Sequence, residues 1–222
     1  MYKPKKILHC DMPAADKALN VLVLNASLKH EPAVSNTGEL SDLVLKYMKE
    51  FGKIESESVR LADKNLPVGL GFKESKGDEW PGVTEKMKKA DIIIFATPIW
   101  WGGRSSLMQR VIERMDAFDE DATLRGKSAL YNKVAGIVIT GNEDGALSTM
   151  GSLMTVLTWM GFLLPPECCA YWVGEVGGAP SKEAETRRKN KATDYMAKIL
   201  ARNLVYYGQM QKKHEMQFKN IS

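Results

Sequence analysis

The segment Ala90–Met115, ADIIIFATPIWWGGRSSLMQRVIERM, constrains the fold of this chain more than any other stretch. Its first part contains five consecutive apolar residues, Ile92–Ala96, and such a run is typical of a strand buried on both faces of a parallel sheet. Because proline cannot donate a hydrogen bond to a neighbouring strand, we expect this strand to end at Thr97-Pro98. Two tryptophans and two glycines follow, and then an amphipathic helix. The segment therefore predicts a buried central strand, an aromatic loop at its carboxyl end and a helix that returns along the sheet.

Four further segments are predicted to be strands, and of these Ile54–Leu61 alternates poorly. The five predicted strands are Asn20–Asn25, Ile54–Leu61, Ile92–Ala96, Lys133–Thr140 and Cys169–Val173. Helical periodicity separates these strands and returns after the last one, in residues 40–51, 83–89, 107–115, 146–160 and 192–204. Residues 62–81 are predicted to form a long loop, and residues 116–132 a charged connection.

Strands that alternate with helices predict an α/β fold with a doubly wound parallel sheet. The second strand carries Glu55 and Glu57, so we expect it at an edge of the sheet. With right-handed crossovers, this position favours five strands in the order 2-1-3-4-5 and helices on both faces. We assign residues 20–205 to this domain, residues 1–19 to an N-terminal extension and residues 206–222 to a C-terminal tail.

Composition argues against several classes of protein. The formal net charge of +4 is too small to indicate nucleic-acid binding, and no apolar run approaches the roughly 20 residues of a membrane span. The cysteines Cys10, Cys168 and Cys169 are odd in number and lack C-x-x-C spacing, which argues against a disulfide scaffold, a zinc site or an iron–sulfur cluster. We therefore predict a cytoplasmic protein without a metal ion, a nucleic-acid partner or a membrane partner.

The loops after the first, third and fourth strands converge in the predicted topology, since they leave the carboxyl ends of neighbouring strands. The first of these loops places hydroxyl and amide side chains at the start of a helix, where unpaired N–H groups and the helix dipole attract anions. These residues are Ser27, Ser35, Asn36 and Thr37. Helix capping is the alternative explanation, but four such groups are more than a cap needs. The loop therefore predicts a phosphate site.

The second and third loops offer a flat surface and a polar rim. The second comprises Pro98, Ile99, Trp100, Trp101 and Gly102. Two tryptophans held between a proline and glycines suit a planar ring, although they could instead pack within the loop. The third comprises Thr140, Gly141, Asn142, Glu143, Asp144 and Gly145. Its amides could bond a ring carbonyl, whereas its two carboxylates could alternatively bind a metal, act as an acid/base pair or cap a helix. The three loops together predict a site for a phosphorylated planar cofactor.

Six short motifs extend this pattern along the chain. They are S-x(7)-S-N-T at Ser27 and Ser35–Thr37, D-E-W-P at Asp78–Pro81, A-T-P-I-W-W-G at Ala96–Gly102, V-I-E-R at Val111–Arg114, T-G-N-E-D-G-A at Thr140–Ala146 and G-F-L-L-P-P at Gly161–Pro166. In these motifs the chain resembles the flavodoxin-like NADPH-dependent FMN reductase family, from about Asn20 to Pro180.

The resemblance implies a flavodoxin-like fold that binds FMN and takes electrons from NAD(P)H. Ser27 and Ser35–Thr37 would hold the phosphate, Pro98–Gly102 would line the isoalloxazine ring and ribityl chain, and Thr140–Gly145 would contact the pyrimidine side of the ring. The flavin would carry the redox chemistry, so no catalytic side chain is expected. The implied activity is an NAD(P)H oxidoreductase that reduces a small acceptor such as a quinone, an azo or nitro compound, or free flavin.

Two alternatives remain open on the same fold, a flavodoxin-type electron carrier and a flavin-free interaction module. The assembly is predicted to be a homodimer or homotetramer, because the helix Ala146–Met160 is apolar nearly all round and because Trp80 lies in an otherwise polar loop.

Overall fold

The computed structural model describes residues 11–13, 17–175 and 185–217. Most of the predicted N-terminal extension and the end of the predicted tail lie outside these residues. The centre of the described part is a six-stranded sheet, with the strands β1 (Leu19–Asn25), β2 (Ile54–Arg60), β3 (Ile92–Trp100), β4 (Gly103–Arg104), β5 (Val134–Gly141) and β6 (Cys169–Val173).

The order of the long strands is β2-β1-β3-β5-β6, and each neighbouring pair is parallel. The sheet therefore has the predicted order 2-1-3-4-5, with β2 at an edge. The short strand β4 was not predicted, and it pairs antiparallel with the end of β3.

Helices cover both faces of the sheet, as predicted. They are α1 (Asn36–Phe51), α2 (Trp80–Lys89), α3 (Ser106–Arg125), α4 (Ala146–Trp159) and α5 (Lys191–Lys213), and a 3₁₀ turn spans Leu61–Asp63. α1 and α5 pack on one face, and α2, α3 and α4 pack on the other.

A hydrophobic core lies on each face of the sheet, and these two cores explain why the central strands are continuous apolar runs. Ile92 and Ile94 of β3 belong to the core beneath α1 and α5, whereas Ile93 and Phe95 belong to the core beneath the other three helices. Successive side chains of a strand point to opposite faces, so burial of both faces requires an apolar residue at every position.

The prediction that the central strand ends at Thr97-Pro98 was wrong, because β3 continues to Trp100. The last residue pair between β1 and β3 is Asn25 with Ala96, and β4 pairs with β3 only from Ile99 onward, so the strand has an open side between these points. Pro98 lies in this part of the strand, beside Thr140 of β5. Proline is tolerated where a strand has an open side, because its missing N–H group then breaks no ladder.

Two helices extend beyond their predicted ends. α3 continues through much of the predicted charged connection and ends at Gly126, whose φ of 72° is left-handed. α5 continues to Lys213, so residues 206–213 belong to this helix and not to a loose tail. In this part of α5, a Cβ atom on Gly208 would lie 2.8 Å from Ile92 Cδ1, which shows how closely the helix approaches the sheet.

Among the described residues, no helix combines the length and the apolar character that crossing a membrane requires. The same residues contain no group of three or more His, Cys, Asp or Glu side chains arranged to hold a metal ion.

Candidate functional site

A cleft of about 240 Å³ opens at the carboxyl edge of the sheet, where the loops after β1, β3 and β5 meet. It is lined by Ser27, Lys29, Asn36, Thr37, Pro98, Ile99, Trp100, Trp101, Thr140, Gly141, Asn142, Glu143 and Trp172. The structure thus brings most of the predicted site residues together. Four of them, Ser35, Gly102, Asp144 and Gly145, do not line the cleft.

The first turn of α1 forms one end of the cleft. Ser35 is the N-cap of this helix, since its buried Oγ accepts a hydrogen bond of 3.0 Å from the N–H group of Gly38. The capping explanation therefore accounts for Ser35. Asn36 and Thr37 lie in the first turn, where backbone N–H groups have no acceptor within the helix. This end of the cleft therefore has the donors and the helix dipole of an anion site.

The loop after β1 adds a hydroxyl group and a positive charge to this end. Ser27 is buried, and its Oγ accepts a hydrogen bond of 3.3 Å from the N–H group of Lys29. The ammonium group of Lys29 donates to the carbonyl oxygen of Val34 at 3.3 Å. Lys29 was not among the residues predicted from the sequence, although a cation two residues after Ser27 in the predicted phosphate loop was a signal for it.

Buried hydroxyl groups join the strand ends beneath the cleft. The Oγ1 atoms of Thr37 and Thr140 lie 2.7 Å apart and connect α1 with β5. Ser105 caps α3, and its Oγ donates to the carbonyl oxygen of Ala26 at 2.8 Å. The N–H group of Ser105 donates to Oγ1 of Thr97 at 3.1 Å. These bonds fix the three loops relative to one another.

The aromatic loop is a tight hairpin between β3 and β4. Trp100 pairs with Gly103, so Trp101 and Gly102 form a two-residue connection, and their φ angles are 49° and 77°. Positive φ at both positions is the requirement of a type I′ turn. Gly102 therefore shapes the loop and does not line the cleft.

The hairpin is attached to the loop after β5. The N–H group of Trp101 donates to Oε1 of Glu143 at 2.6 Å, and Oγ of Ser148 donates to the carbonyl oxygen of Gly102 at 2.8 Å. A Cβ atom on Gly145 would lie 2.7 Å from Cα of Gly102. Gly145 is therefore a point of close approach between the two loops.

Three tryptophans line the cleft with very different exposure. Trp101 is 93% exposed and Trp100 is 51% exposed, so neither is packed into the loop as a core residue. Trp172 is buried at the end of β6, where it pairs with Thr140. Trp172 was not predicted to belong to the site, although the predicted strand order placed the end of its strand beside the fourth strand. The cleft therefore has aromatic side chains on its wall and its floor.

The D-E-W-P and V-I-E-R motifs meet away from the cleft. Nη2 of Arg114 lies 2.7 Å from Oδ2 of Asp78, and both side chains are completely buried. Arg114 also donates to the carbonyl oxygens of Pro67 and Gly71 at 3.0 Å, so it fixes the long loop after β2. Burial alone would raise the pKa of Asp78, but hydrogen bonds from Arg114 and from the N–H groups of Glu74 and Trp80 lower it overall.

Trp80 belongs to this buried cluster and not to the surface. It is completely buried, and the guanidinium group of Arg114 lies 5.6 Å from the centre of its ring. The prediction that Trp80 contributes to a subunit interface was therefore wrong, because Trp80 is the first residue of α2 and its side chain faces the core.

The donors and surfaces of the cleft fit FMN. The phosphate would meet Lys29, Ser27 and the first turn of α1, and the planar ring would meet an aromatic wall and the amides after β5. Residues 19–174, more than half of the chain, match the family model described as NADPH-dependent FMN reductase. The chain belongs to this family.

Two curated relatives match most of the chain. The 8-demethyl-8-aminoriboflavin-5′-phosphate synthase of Streptomyces davaonensis is 32% identical over 202 residues, which cover 87% of this chain and 78% of that protein. The divalent metal cation transporter MntH of Mycobacterium bovis is 31% identical over 204 residues, which cover 89% of this chain but 30% of that protein.

Two solved structures are similar to this chain in fold. The crystal structure of RosB with the bound intermediate 8-demethyl-8-formylriboflavin-5′-phosphate has a TM-score of 0.79 and 30% identity, and the match covers 88% of this chain and 81% of RosB. The apo form of the NADH:FMN oxidoreductase EMOB has a TM-score of 0.61 and 17% identity, with 87% and 89% of the two chains covered, and this likeness supports the fold alone.

The family confirms the flavodoxin-like fold, FMN as the cofactor, NAD(P)H as the electron donor and enzymatic oxidoreduction as the activity. It does not favour the electron carrier or the flavin-free module as alternatives. Which residues contact FMN remains a prediction.

Proposed function

We propose that the enzyme binds FMN in the cleft at the carboxyl edge of the sheet and uses NAD(P)H to reduce a small planar acceptor there. The acceptor classes that fit are quinones, azo and nitro compounds, and free flavin. The observation that carries this proposal is the meeting of an anion site and an aromatic wall in one cleft, at the ends of adjacent strands.

The residues of the cleft divide the work of holding FMN. Lys29, Ser27 and the N–H groups of Asn36 and Thr37 would bind the phosphate. Pro98, Ile99 and Trp100 would contact the ring, while the backbone of Thr140–Asn142 would donate to its polar edge. Bound FMN supplies two-electron chemistry between nicotinamide and acceptor, and the chain supplies orientation and a shielded surface.

A comparison of two flavins tests the phosphate site. Replacing Lys29 with Met removes one charge-assisted contact, so we expect FMN to bind about tenfold to a hundredfold more weakly, while riboflavin, which lacks the phosphate, binds as before. Lys46→Met, on an exposed position of α1, is the matched control and should change neither affinity. Equal losses for both flavins would contradict the assignment of Lys29.

Spectroscopy tests the activity itself. The purified protein should take up FMN and become yellow, lose its visible absorption when NADPH is added without oxygen, and regain it when a quinone is added. A protein that takes up no FMN would contradict the proposed site, and one whose bound FMN is not reduced by NADPH or NADH would contradict the proposed reaction.

A second candidate function follows from the 32% identical synthase, whose name describes a modified flavin phosphate as its product. In that case FMN is a substrate that is altered at its ring. Mass spectrometry of the flavin before and after turnover separates the two, because an oxidoreductase returns FMN of unchanged mass.

We also propose that the enzyme is a cytoplasmic homodimer or homotetramer. α4 contains no charged residue and exposes Leu147 and Trp159, which suits a subunit interface in a homodimer or homotetramer. Cys168 and Cys169 are buried free thiols, and burial raises the pKa of both, which suits a cytoplasmic enzyme. We likewise propose that the enzyme has neither a nucleic-acid partner nor a membrane partner.

A further inference from the structure

Trp101 combines two properties that natural chains usually avoid. Its φ angle of 49° is left-handed, and its side chain is 93% exposed at the mouth of the cleft. The left-handed region is costly for residues with a large side chain, and type I′ turns normally use Asn or Gly at this position. Strained residues persist where the surroundings determine them strongly, and they are concentrated at functional sites.

The surroundings hold this conformation from the loop after β5. Glu143 accepts the hydrogen bond from the N–H group of Trp101 at 2.6 Å, and Ser148 donates to the carbonyl oxygen of Gly102 at 2.8 Å. The close approach of Gly145 to Gly102 fixes the same point of the hairpin. These three contacts fix the backbone of Trp101 and Gly102, while the indole ring itself is almost fully exposed.

We propose that Trp101 is the platform on which the electron acceptor stacks, and that Glu143 makes the enzyme prefer uncharged or cationic planar acceptors to anionic ones. This inference rests on the proposed function and adds the class of its second substrate. Exposed aromatic rings bind planar molecules through their faces, and Trp101 is the most exposed of the tryptophans that line the cleft.

The charges around the hairpin support the preference. The carboxylate of Glu143 lies at the backbone of Trp101 and lines the cleft. The cation on β4, Arg104, is directed along α3 and α4, because its Nε donates to Gln109 at 2.7 Å and its Nη1 donates to Ser152 at 2.9 Å. Lys29 lies on the loop after β1, where its ammonium group donates to the carbonyl oxygen of Val34 at 3.3 Å. An anionic group on a molecule stacked on Trp101 would therefore meet a carboxylate.

The overall reaction balances without a further reactant. NAD(P)H, one proton and a quinone give NAD(P)⁺ and the hydroquinone, so the quinone gains two electrons and two protons. Trp101 contributes no proton to this reaction, and its contribution is binding of the quinone.

The first test measures acceptor binding without turnover. The affinity of the FMN-loaded, oxidised enzyme for 1,4-naphthoquinone is measured by equilibrium dialysis with NADPH omitted. We expect Trp101→Asn to weaken binding about threefold to tenfold, and Trp101→Phe to retain most of it. Asn suits a left-handed turn position, so this variant preserves the hairpin. Unchanged affinity in Trp101→Asn would overturn the proposal, and so would a change in oligomeric state that accounts for the loss.

The second test measures charge selection. The ratio of kcat/KM for 1,4-naphthoquinone to that for 1,4-naphthoquinone-2-sulfonate is compared between the wild type and Glu143→Gln, which can still accept the hydrogen bond from Trp101. We expect this ratio to fall about threefold to tenfold, because the substitution removes a negative charge beside the stacked acceptor. Asp119→Asn, an exposed position on α3, is the matched control and should leave the ratio unchanged. An unaltered ratio in Glu143→Gln would overturn the charge preference.

The rate at which NADPH bleaches the bound FMN separates this inference from the proposed function. If the wild-type flavin is reduced and the Trp101 variants bind the quinone as well as the wild type, only the acceptor site is wrong. If NADPH and NADH do not reduce the flavin, the proposed function is wrong and the acceptor site falls with it.

Discussion

Gly145, just before α4, and Gly151, within it, differ in whether their surroundings leave room for a side chain. Gly145 precedes α4 with a φ of 133°, and a Cβ atom there would lie 2.7 Å from Cα of Gly102. Gly151 lies within α4, and a Cβ atom there would have no heavy atom within 4 Å. Backbone atoms cannot give way as a flexible side chain can, so a side chain at position 145 is strained. At position 151 no contact requires glycine, and glycine there lowers the stability of the helix.

Alanine substitutions at these two glycines make a matched pair at the residue scale. We expect Gly145→Ala to lower the free energy of unfolding by about 1–3 kcal/mol, because the left-handed backbone and the contact with Gly102 both oppose a Cβ atom. We expect Gly151→Ala to raise it by about 0.5–1 kcal/mol, because alanine favours a helix interior. Urea unfolding measures both, and equal effects of the two substitutions would contradict the close approach of the loops.

At the scale of the elements, one buried ion pair holds the longest loop of the described structure. Asp78 lies just before α2, and Arg114 lies within α3. The arginine also donates to two carbonyl oxygens of the long loop after β2. Neither side chain has access to water, so removing one partner leaves an uncompensated charge or polar group in the core. The pair therefore ties two helices and the loop into one unit.

Neutralising Asp78 should have a large and pH-dependent effect. We expect Asp78→Asn to lower the free energy of unfolding by about 3–5 kcal/mol at pH 7. Because the pKa of Asp78 is lowered in the folded state, the ion pair stabilises the fold above the unfolded pKa of about 3.9 and loses this contribution as the pH falls through the folded pKa. The difference between wild type and variant should therefore shrink below about pH 4.

The control for this pair is an ion pair on the surface. Nζ of Lys88 lies 2.8 Å from Oε1 of Glu85, and both side chains are exposed, so Glu85→Gln should leave the free energy of unfolding nearly unchanged at either pH. Denaturant unfolding at pH 7 and pH 3 measures all three proteins. A similar loss in both variants would show that burial does not distinguish the two pairs.

At the scale of the whole molecule, the sheet could be predicted from the sequence, because strands buried on both faces consist of continuous apolar residues. The end of β3 could not, since Pro98 signals a strand end unless the partner strand has already stopped at Asn25. The end of α3 was missed because acidic residues on its exposed face hide the buried apolar positions Ala117 and Phe118. The end of α5 was missed because its buried positions there are occupied by Gly208 and Gln209, which carry no apolar side chain. Trp172 was overlooked for a related reason, as an apolar strand does not show which of its side chains reaches a cleft.

The outer face of α4 is where a whole-molecule prediction can be tested without disturbing the monomer. Leu147 is 67% exposed and Trp159 is 84% exposed, and Gly151 lies between them with open space above it. An arginine at position 151 would therefore be accommodated in an isolated subunit, but it would place a charge in the centre of an interface formed by this face.

We expect the wild type to sediment as a homodimer or homotetramer at micromolar concentration and Gly151→Arg to sediment as a smaller species with its FMN still bound. Gly82→Arg is the matched control, because Gly82 also has open space around its Cβ position but lies on α2. It should sediment as the wild type does. A wild-type monomer, or a Gly151→Arg variant that assembles normally, would show that this uncharged helix faces solvent in the functional enzyme.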